Sequence, residues 1–121
     1  MILFKELCYE VVGASQEVHR LLGPGFLESV YEHALAHELT LRGIAFERQV
    51  PLNVTYKEIC AGEFRADFVV DDKIILEIKA ASSLVPAFDA QALHYLAITK
   101  FRLALLINFG ARSLQFKRII N

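Results

Sequence analysis

Cysteine is scarce in this chain. Cys8 and Cys60 are far apart and show no Cys-x-x-Cys spacing, which excludes a sequence-evident zinc site or disulfide framework; both are expected to be reduced and buried. Long apolar runs are missing as well. None approaches the roughly 20 residues that a membrane-crossing helix needs, and the Met1-Ile2-Leu3-Phe4 start has neither the basic region nor the small-residue cleavage site of a signal peptide. A cytoplasmic protein with no membrane partner is the expectation. Nor does one sign of charge dominate: 13 Lys and Arg face 14 Asp and Glu, a formal net charge of -1. No overall field therefore draws the chain towards polyanions. Binding to nucleic acid would need a local basic patch, for which Lys100, Arg102, Arg112, Lys117 and Arg118 are the candidates.

What is present is apolar content, 55% of 121 residues. That suffices for the core of one domain spanning 1–121 and is too short for two. No repeat or low-complexity linker divides it. Leu7, Val11, Ala14, Val18 and Leu21 recur at helical spacing until Gly23-Pro24-Gly25 breaks the helix. A second helix is predicted from about Phe26 to Arg42, with Leu27, Val30, Tyr31, Ala34 and Leu35 as its apolar stripe and Gly43 as a left-handed terminator. Phe46 to Tyr56 alternates as a strand, and Pro51 within it suggests an edge position or a bulge. Beyond a hairpin, a third helix is predicted from Pro86 to Thr99 with Leu93, Leu96 and Ala97 inward. Leu103 to Ile107 is apolar throughout and reads as a strand buried on both faces, with a last strand after Gly110 through Leu114 and Phe116. Two helices, three strands, a helix and two strands describe an α/β domain with a helix-covered sheet.

The hairpin carries the chemistry. Phe64-Arg65-Ala66-Asp67-Phe68-Val69-Val70 and Ile74-Ile75-Leu76-Glu77-Ile78-Lys79 flank a polar tip, Asp71-Asp72-Lys73. Side chains alternate along a strand, so Glu77 and Lys79 share a face. A three-residue loop sets Asp67 opposite Glu77; a two-residue loop pairs it with Leu76 and sends it to the other face. Both faces are apolar elsewhere, so hydrophobicity does not choose, and a working site requires the odd-length loop. In that register the two Cβ atoms stand roughly 5 Å apart, close enough for both carboxylates to reach one divalent ion at about 2.1 Å. Lys79 lies roughly 6.5 Å further along the strand, where its ammonium can orient or acidify a water and neutralise a phosphorane-like transition state. The alternative is a solvated salt bridge. Val69 and Ile75 on the same face argue against it, because charge inside an apolar hairpin usually has a partner or a task.

The helices offer further candidates. Glu28, Tyr31 and Glu32 project from neighbouring positions of the second helix. Glu28 in the first turn either complements the helix dipole or supplies another carboxylate to the metal, and Tyr31 could meet a ligand or phosphate. Gln91 and Tyr95, one turn apart on the third helix, direct an amide and a phenol the same way. His33 and His37 have a zinc-clasping spacing, but Ala34 stands where a zinc protease needs Glu. They read as exposed helix residues.

Gly25-Phe26-Leu27-Glu28-Ser29-Val30-Tyr31 resembles the Gly-x-x-Glu-x-x-Tyr signature of the GxxExxY proteins. Arg65-Ala66-Asp67 with Glu77-Ile78-Lys79 resembles their nuclease core, and the likeness runs from the first helix through Asn108-Phe109-Gly110 to Lys117-Arg118. Those proteins belong to the PD-(D/E)XK nuclease superfamily. The resemblance implies a restriction-endonuclease-like α/β fold, a mixed central sheet flanked by helices. It further implies that Asp67 and Glu77 ligate Mg2+ or Mn2+, that Lys79 assists the water, and that Glu28 completes the acidic cluster. Gln91 and Tyr95 resemble the Gln-x-x-x-Tyr element of exonuclease-like branches, which makes them substrate-binding candidates with Tyr31. Ala66 replaces the proline of the superfamily name, a change many branches tolerate. The implied function is a metal-dependent nuclease hydrolysing phosphodiester bonds of nucleic acid, with DNA the expected substrate. The rival is a non-catalytic nucleic-acid or protein binding module on the same fold, favoured by small size and near-neutral charge. A third class, a structural subunit in a homo-oligomer or larger complex, would show a large exposed apolar patch.

Overall fold

A computed structural model describes residues 2–121. The order is α1 (Lys5–Leu22), α2 (Glu28–Leu41), β1 (Phe46–Tyr56), β2 (Ile59–Val70), β3 (Ile74–Lys79), α3 (Pro86–Ile98), β4 (Leu103–Asn108) and β5 (Gln115–Ile120). The five strands form one sheet in sequence order, antiparallel except for the central parallel pair β3 and β4. This is the mixed, helix-flanked α/β arrangement expected. No helix among the described residues is long and apolar enough to cross a membrane.

The sheet divides two cores. On one face α1 and α2 cover Phe68, Val70, Ile74, Leu76, Ile78 and β4 residues such as Leu105. On the other, α3 covers Val69, Ile75, Ala104 and Leu106 with Ala92 and Leu96. β3 and β4 are wedged between both layers, which is why their sequences are apolar without alternation. The inward faces of the helices differ in detail from the predicted stripes. Tyr31, Leu35, Ala36 and Leu39 are the buried residues of α2, while Leu27 and Val30 are exposed; in α3 it is Ala92, not Leu93 or Ala97, that joins Leu96. Leu21 of α1 is exposed and Cys60 lies on the surface, so only Cys8 meets the expectation of a buried thiol. The strand-loop-strand unit is also longer than predicted. β2 begins at Ile59, and Lys57 and Glu58 make its tight turn with β1 in left-handed conformations that non-glycine residues seldom adopt.

Two local features position the functional strands. The first is a change of face without a change of register. Phe68 and Val70 pack under α1 and α2, yet Ala66, two residues earlier, packs under α3. The same switch occurs across the pairing on β1, where Phe46 packs with the first core and Val50 and Leu52 with the second. Between them Gln49 takes φ 51°, and the Gln49–Asp67 pair is missing from a register that is otherwise continuous as far as Val54–Gly62, beyond which a bulge shifts it by one residue. Asp67 therefore sits where β2 turns over. The second feature straps the exit of β3. Asn108, fully buried, accepts from Ala81 N at 2.9 Å and Gly110 N at 3.1 Å and donates to Ala81 O at 3.0 Å, while Phe109 N donates to Lys79 O at 2.9 Å.

Gly110 is required by this strap: a Cβ there would lie 2.4 Å from Ala81 O and 2.5 Å from Ala80 C. Gly110→Ala is therefore expected to cost on the order of 2 to 3 kcal/mol, because the obstruction is backbone that cannot rotate away. The midpoint of urea unfolding measures it; an unchanged midpoint would contradict the strap.

Candidate active site

The hairpin register decides whether the three charged side chains meet. Val70 pairs with Ile74 and Phe68 with Leu76, so the loop is the three-residue one, and Asp71 and Asp72 adopt positive φ to make it. Beyond Phe68 the ladder gives way to a side chain: Ile78 N donates to Asp67 Oδ2 at 2.7 Å. The carboxylate of Asp67 takes the place of a strand carbonyl, which fixes it beside Glu77. Glu77 is 6% exposed, and its Oε1 is buried with no hydrogen-bond partner.

Electrostatics follow from that enclosure. Burial first, then the neighbouring Asp67 charge, push the Glu77 carboxyl up to about 9. Burial also raises Asp67, opposed by the Ile78 N–H and by the hydrogen bond with Glu77. The pair thus keeps one proton, on Glu77, because two adjacent anions in a poorly solvated space repel strongly. A divalent cation would replace that proton, and the orphaned Oε1 is the buried acceptor such an ion needs. The residues present fit a metal.

Lys79 emerges on the same face, one pleat beyond Glu77. Its Nζ donates to Gln91 Oε1 at 3.1 Å and lies 4.6 Å from the Phe88 ring centroid, so α3 holds the ammonium in place. Gln91 is thereby in the site, through Lys79. Tyr95 stacks on Phe64 with ring centroids 3.7 Å apart, and its hydroxyl is raised by burial and by the charges of Glu77 and Asp67. It stands at the border of the carboxylate pair.

Glu28 and Tyr31 take different parts from those expected. Among the described residues no three His, Cys, Asp or Glu side chains are grouped so that they could hold one ion, and Glu28 is not gathered with Asp67 and Glu77 in this structure. It is exposed at the start of α2, partly shielded so that its carboxyl is raised, and it feels the charges of Lys79, Asp67 and Glu32. It borders the pair from outside. Tyr31 is fully buried: its hydroxyl donates to Gly23 O at 2.6 Å and accepts from Phe26 N at 3.2 Å, and its ring stacks on Phe109. With no surface and a satisfied hydroxyl it meets no ligand directly; it holds the loop from which Glu28 begins. Helix spacing could not distinguish the two roles.

Sequence reading passed over Glu32 as a site residue. Its carboxylate accepts from Arg48 Nη2 at 2.7 Å and Gln49 Nε2 at 2.8 Å, and Arg65 donates to Gln49 O at 3.1 Å. These bonds brace the turned-over strand opposite Asp67. The only available sign was Arg48-Gln49 in a strand that otherwise alternates, a weak one. Three of the five C-terminal cations are engaged within the fold. Lys117 pairs with Asp89 on the α3 side, Arg118 reaches Leu3 O on the α1 side, and Lys100 pairs with Asp72. His33 and His37 are exposed, as expected.

A family model described as the PD-(D/E)XK nuclease superfamily matches residues 5–119. The chain belongs to this superfamily. No curated protein and no solved structure gives a significant match. The superfamily's usual divalent-metal chemistry agrees with what the paired carboxylates and Lys79 could do.

The raised Glu77 group gives a pH prediction for the metal-free protein. The folded state holds this proton up to about 9, while an unfolded Glu releases it near 4.5. Its contribution is fully present below the lower value and is lost as pH rises through the upper one. In chelator, stability should fall between about pH 5 and about pH 9 more steeply in wild type than in Glu77→Gln, which has nothing to ionise. Urea midpoints across that range test it, and parallel slopes would show that Glu77 ionises freely.

Proposed function

We propose that this superfamily member is a magnesium- or manganese-dependent nuclease that hydrolyses phosphodiester bonds of nucleic acid, with DNA as its substrate, and that it belongs to the GxxExxY branch. The observation that carries the reading is the half-buried Asp67 beside buried Glu77, whose Oε1 is unpartnered, next to an anchored lysine. Asp67 and Glu77 would hold the ion. Bound there, a divalent metal supplies Lewis-acid polarisation and a water of lowered pKa. Lys79, steadied by Gln91 and Phe88, orients the attacking water and offsets negative charge gathering on the phosphoryl oxygens. Glu28 borders the site and tunes its charge; Gln91 sets the lysine, and Tyr95 bounds the substrate space. We place the whole of 1–121 in one domain acting in the cytoplasm.

A non-catalytic binding module is the second reading. Pairing of the cations favours it: seven of 13 Lys and Arg are in ion pairs with acids among the described residues. Cleavage decides between them. Labelled single- and double-stranded DNA and RNA incubated with manganese should be cut by wild type, and Lys79→Ala should lower the rate on the order of 10²-fold or more. Binding without cutting, or equal cutting by the variant, would transfer the case to the binding module.

The ligand assignment has its own measurement. Saturating magnesium should raise the melting temperature of wild type, since an ion bound only by the folded state stabilises it. The rise should be much smaller in Asp67→Ala. Equal rises would remove Asp67 from the ligand set.

A further inference from the structure

Beside the carboxylates, along α3, lies a groove of about 540 Å³ between that helix and the outer part of the β1–β2 arm. Its walls are Val54, Gly62, Glu63 and Phe64 from the arm and Tyr95 and Ile98 from the helix. β1 and β2 run 11 and 12 residues against six for each other strand, so this arm extends well past the sheet that supports it. The arm and α3 meet through the Phe64–Tyr95 stack, an aromatic platform with interplanar angle 11°. Phe64 precedes Asp67 by three residues, and Tyr95 follows Gln91 by one helical turn. Tyr95, which lines the groove, also feels the charges of Glu77 and Asp67, so the groove borders the carboxylate pair.

We infer that this groove receives an unpaired nucleobase, and that the substrate is a single-stranded nucleic acid or a frayed end rather than an intact duplex. The inference rests on the nuclease reading for its substrate class. Three features select the occupant. The size suits one base or nucleoside, within the range of small-ligand sites. The lining contains no Lys or Arg; beside Tyr95 its polar side chains are Glu63, whose carboxylate repels phosphate, and His94, whose ring can hydrogen-bond a base edge, so the groove offers a base mainly apolar and aromatic surface. Elsewhere, among the described residues, seven of the 13 Lys and Arg are paired with acids, which weakens the field open to a duplex, whose affinity comes mainly from neutralised phosphates. Single strands are held instead by stacking on aromatic rings, which accept the face of any base. The stacked pair is already rigid, so little side-chain entropy is lost when a base joins it.

The test is fluorescence anisotropy in calcium with a labelled mixed-sequence DNA strand, the same sequence as RNA, and the DNA annealed to its complement, followed by cleavage of all three in manganese. Two variants report on the groove: Ala97→Glu, which places a second anion at an exposed lining position, and Phe64→Leu, which removes the platform but keeps apolar volume. Neither residue is proposed to hold the ion or assist the water. Single strands should bind about tenfold more tightly than duplex, and each variant should weaken single-strand binding about tenfold while leaving weak duplex binding unchanged. The DNA and RNA arms identify which strand fills the groove. Duplex preference, or wild-type single-strand affinity in variants that melt as wild type does, overturns the groove even if cleavage proceeds. Groove-dependent binding with no cleavage of any strand supports the groove and removes the nuclease reading. No binding of any strand overturns the groove.

Discussion

Two carboxyl groups enclosed together cannot both be charged unless a cation lies between them, and most of the site is built around this constraint. Burying an ionised acid costs several kcal/mol unless it is paired and hydrogen-bonded. Glu77 is enclosed because β3 is sandwiched between two helical layers and flanked by β2 and β4. Asp67 reaches it because β2 turns over at that residue, freeing a carboxylate to accept from Ile78 N. Without an ion, burial and the Asp67 charge favour the protonated form of Glu77.

The same economy shows in the distribution of positive charge. Individually, exposed pairs such as Arg20–Glu17 or Lys73–Asp71 contribute little to stability. Together they occupy seven of the 13 Lys and Arg among the described residues. Lys79 stands apart from them, with an amide and an aromatic ring as its partners rather than an acid. Its charge is thus directed towards the carboxylate pair and whatever approaches it.

The legible parts of the sequence were those where one physical requirement fixed the residue type. β3 and β4 had to be apolar on both faces, Gly43 had to accept φ 70°, and Pro86 had to open a helix; each is where sequence reading placed it. The Asp67–Glu77 register was legible only through chemistry, because hydrophobicity fitted both alternatives equally. Other features had no such mark. Gln49 with positive φ, and Lys57 and Glu58 in a turn usually made by Asn and Gly, carry no residue-type signature. Tyr31 and Glu28 share a helix spacing, yet one is enclosed and the other exposed, a distinction set by where α2 meets the chain beyond β4.

That meeting explains why a glycine, an acid and a tyrosine three residues apart could form a unit. Gly25, at φ 112°, lets the chain turn between α1 and α2. Tyr31 closes the turn by bonding Gly23 O and Phe26 N, which sets the first residue of α2, Glu28. Its ring rests on Phe109, 4.8 Å between centroids, and Phe109 N bonds the carbonyl of Lys79. One continuous set of contacts therefore runs from the start of α2 to the end of β3. The same buried aromatic pair thus sets the helix start that carries the exposed acid and, through the Phe109 backbone, the strand end from which Lys79 leaves, while α3 fixes the ammonium itself.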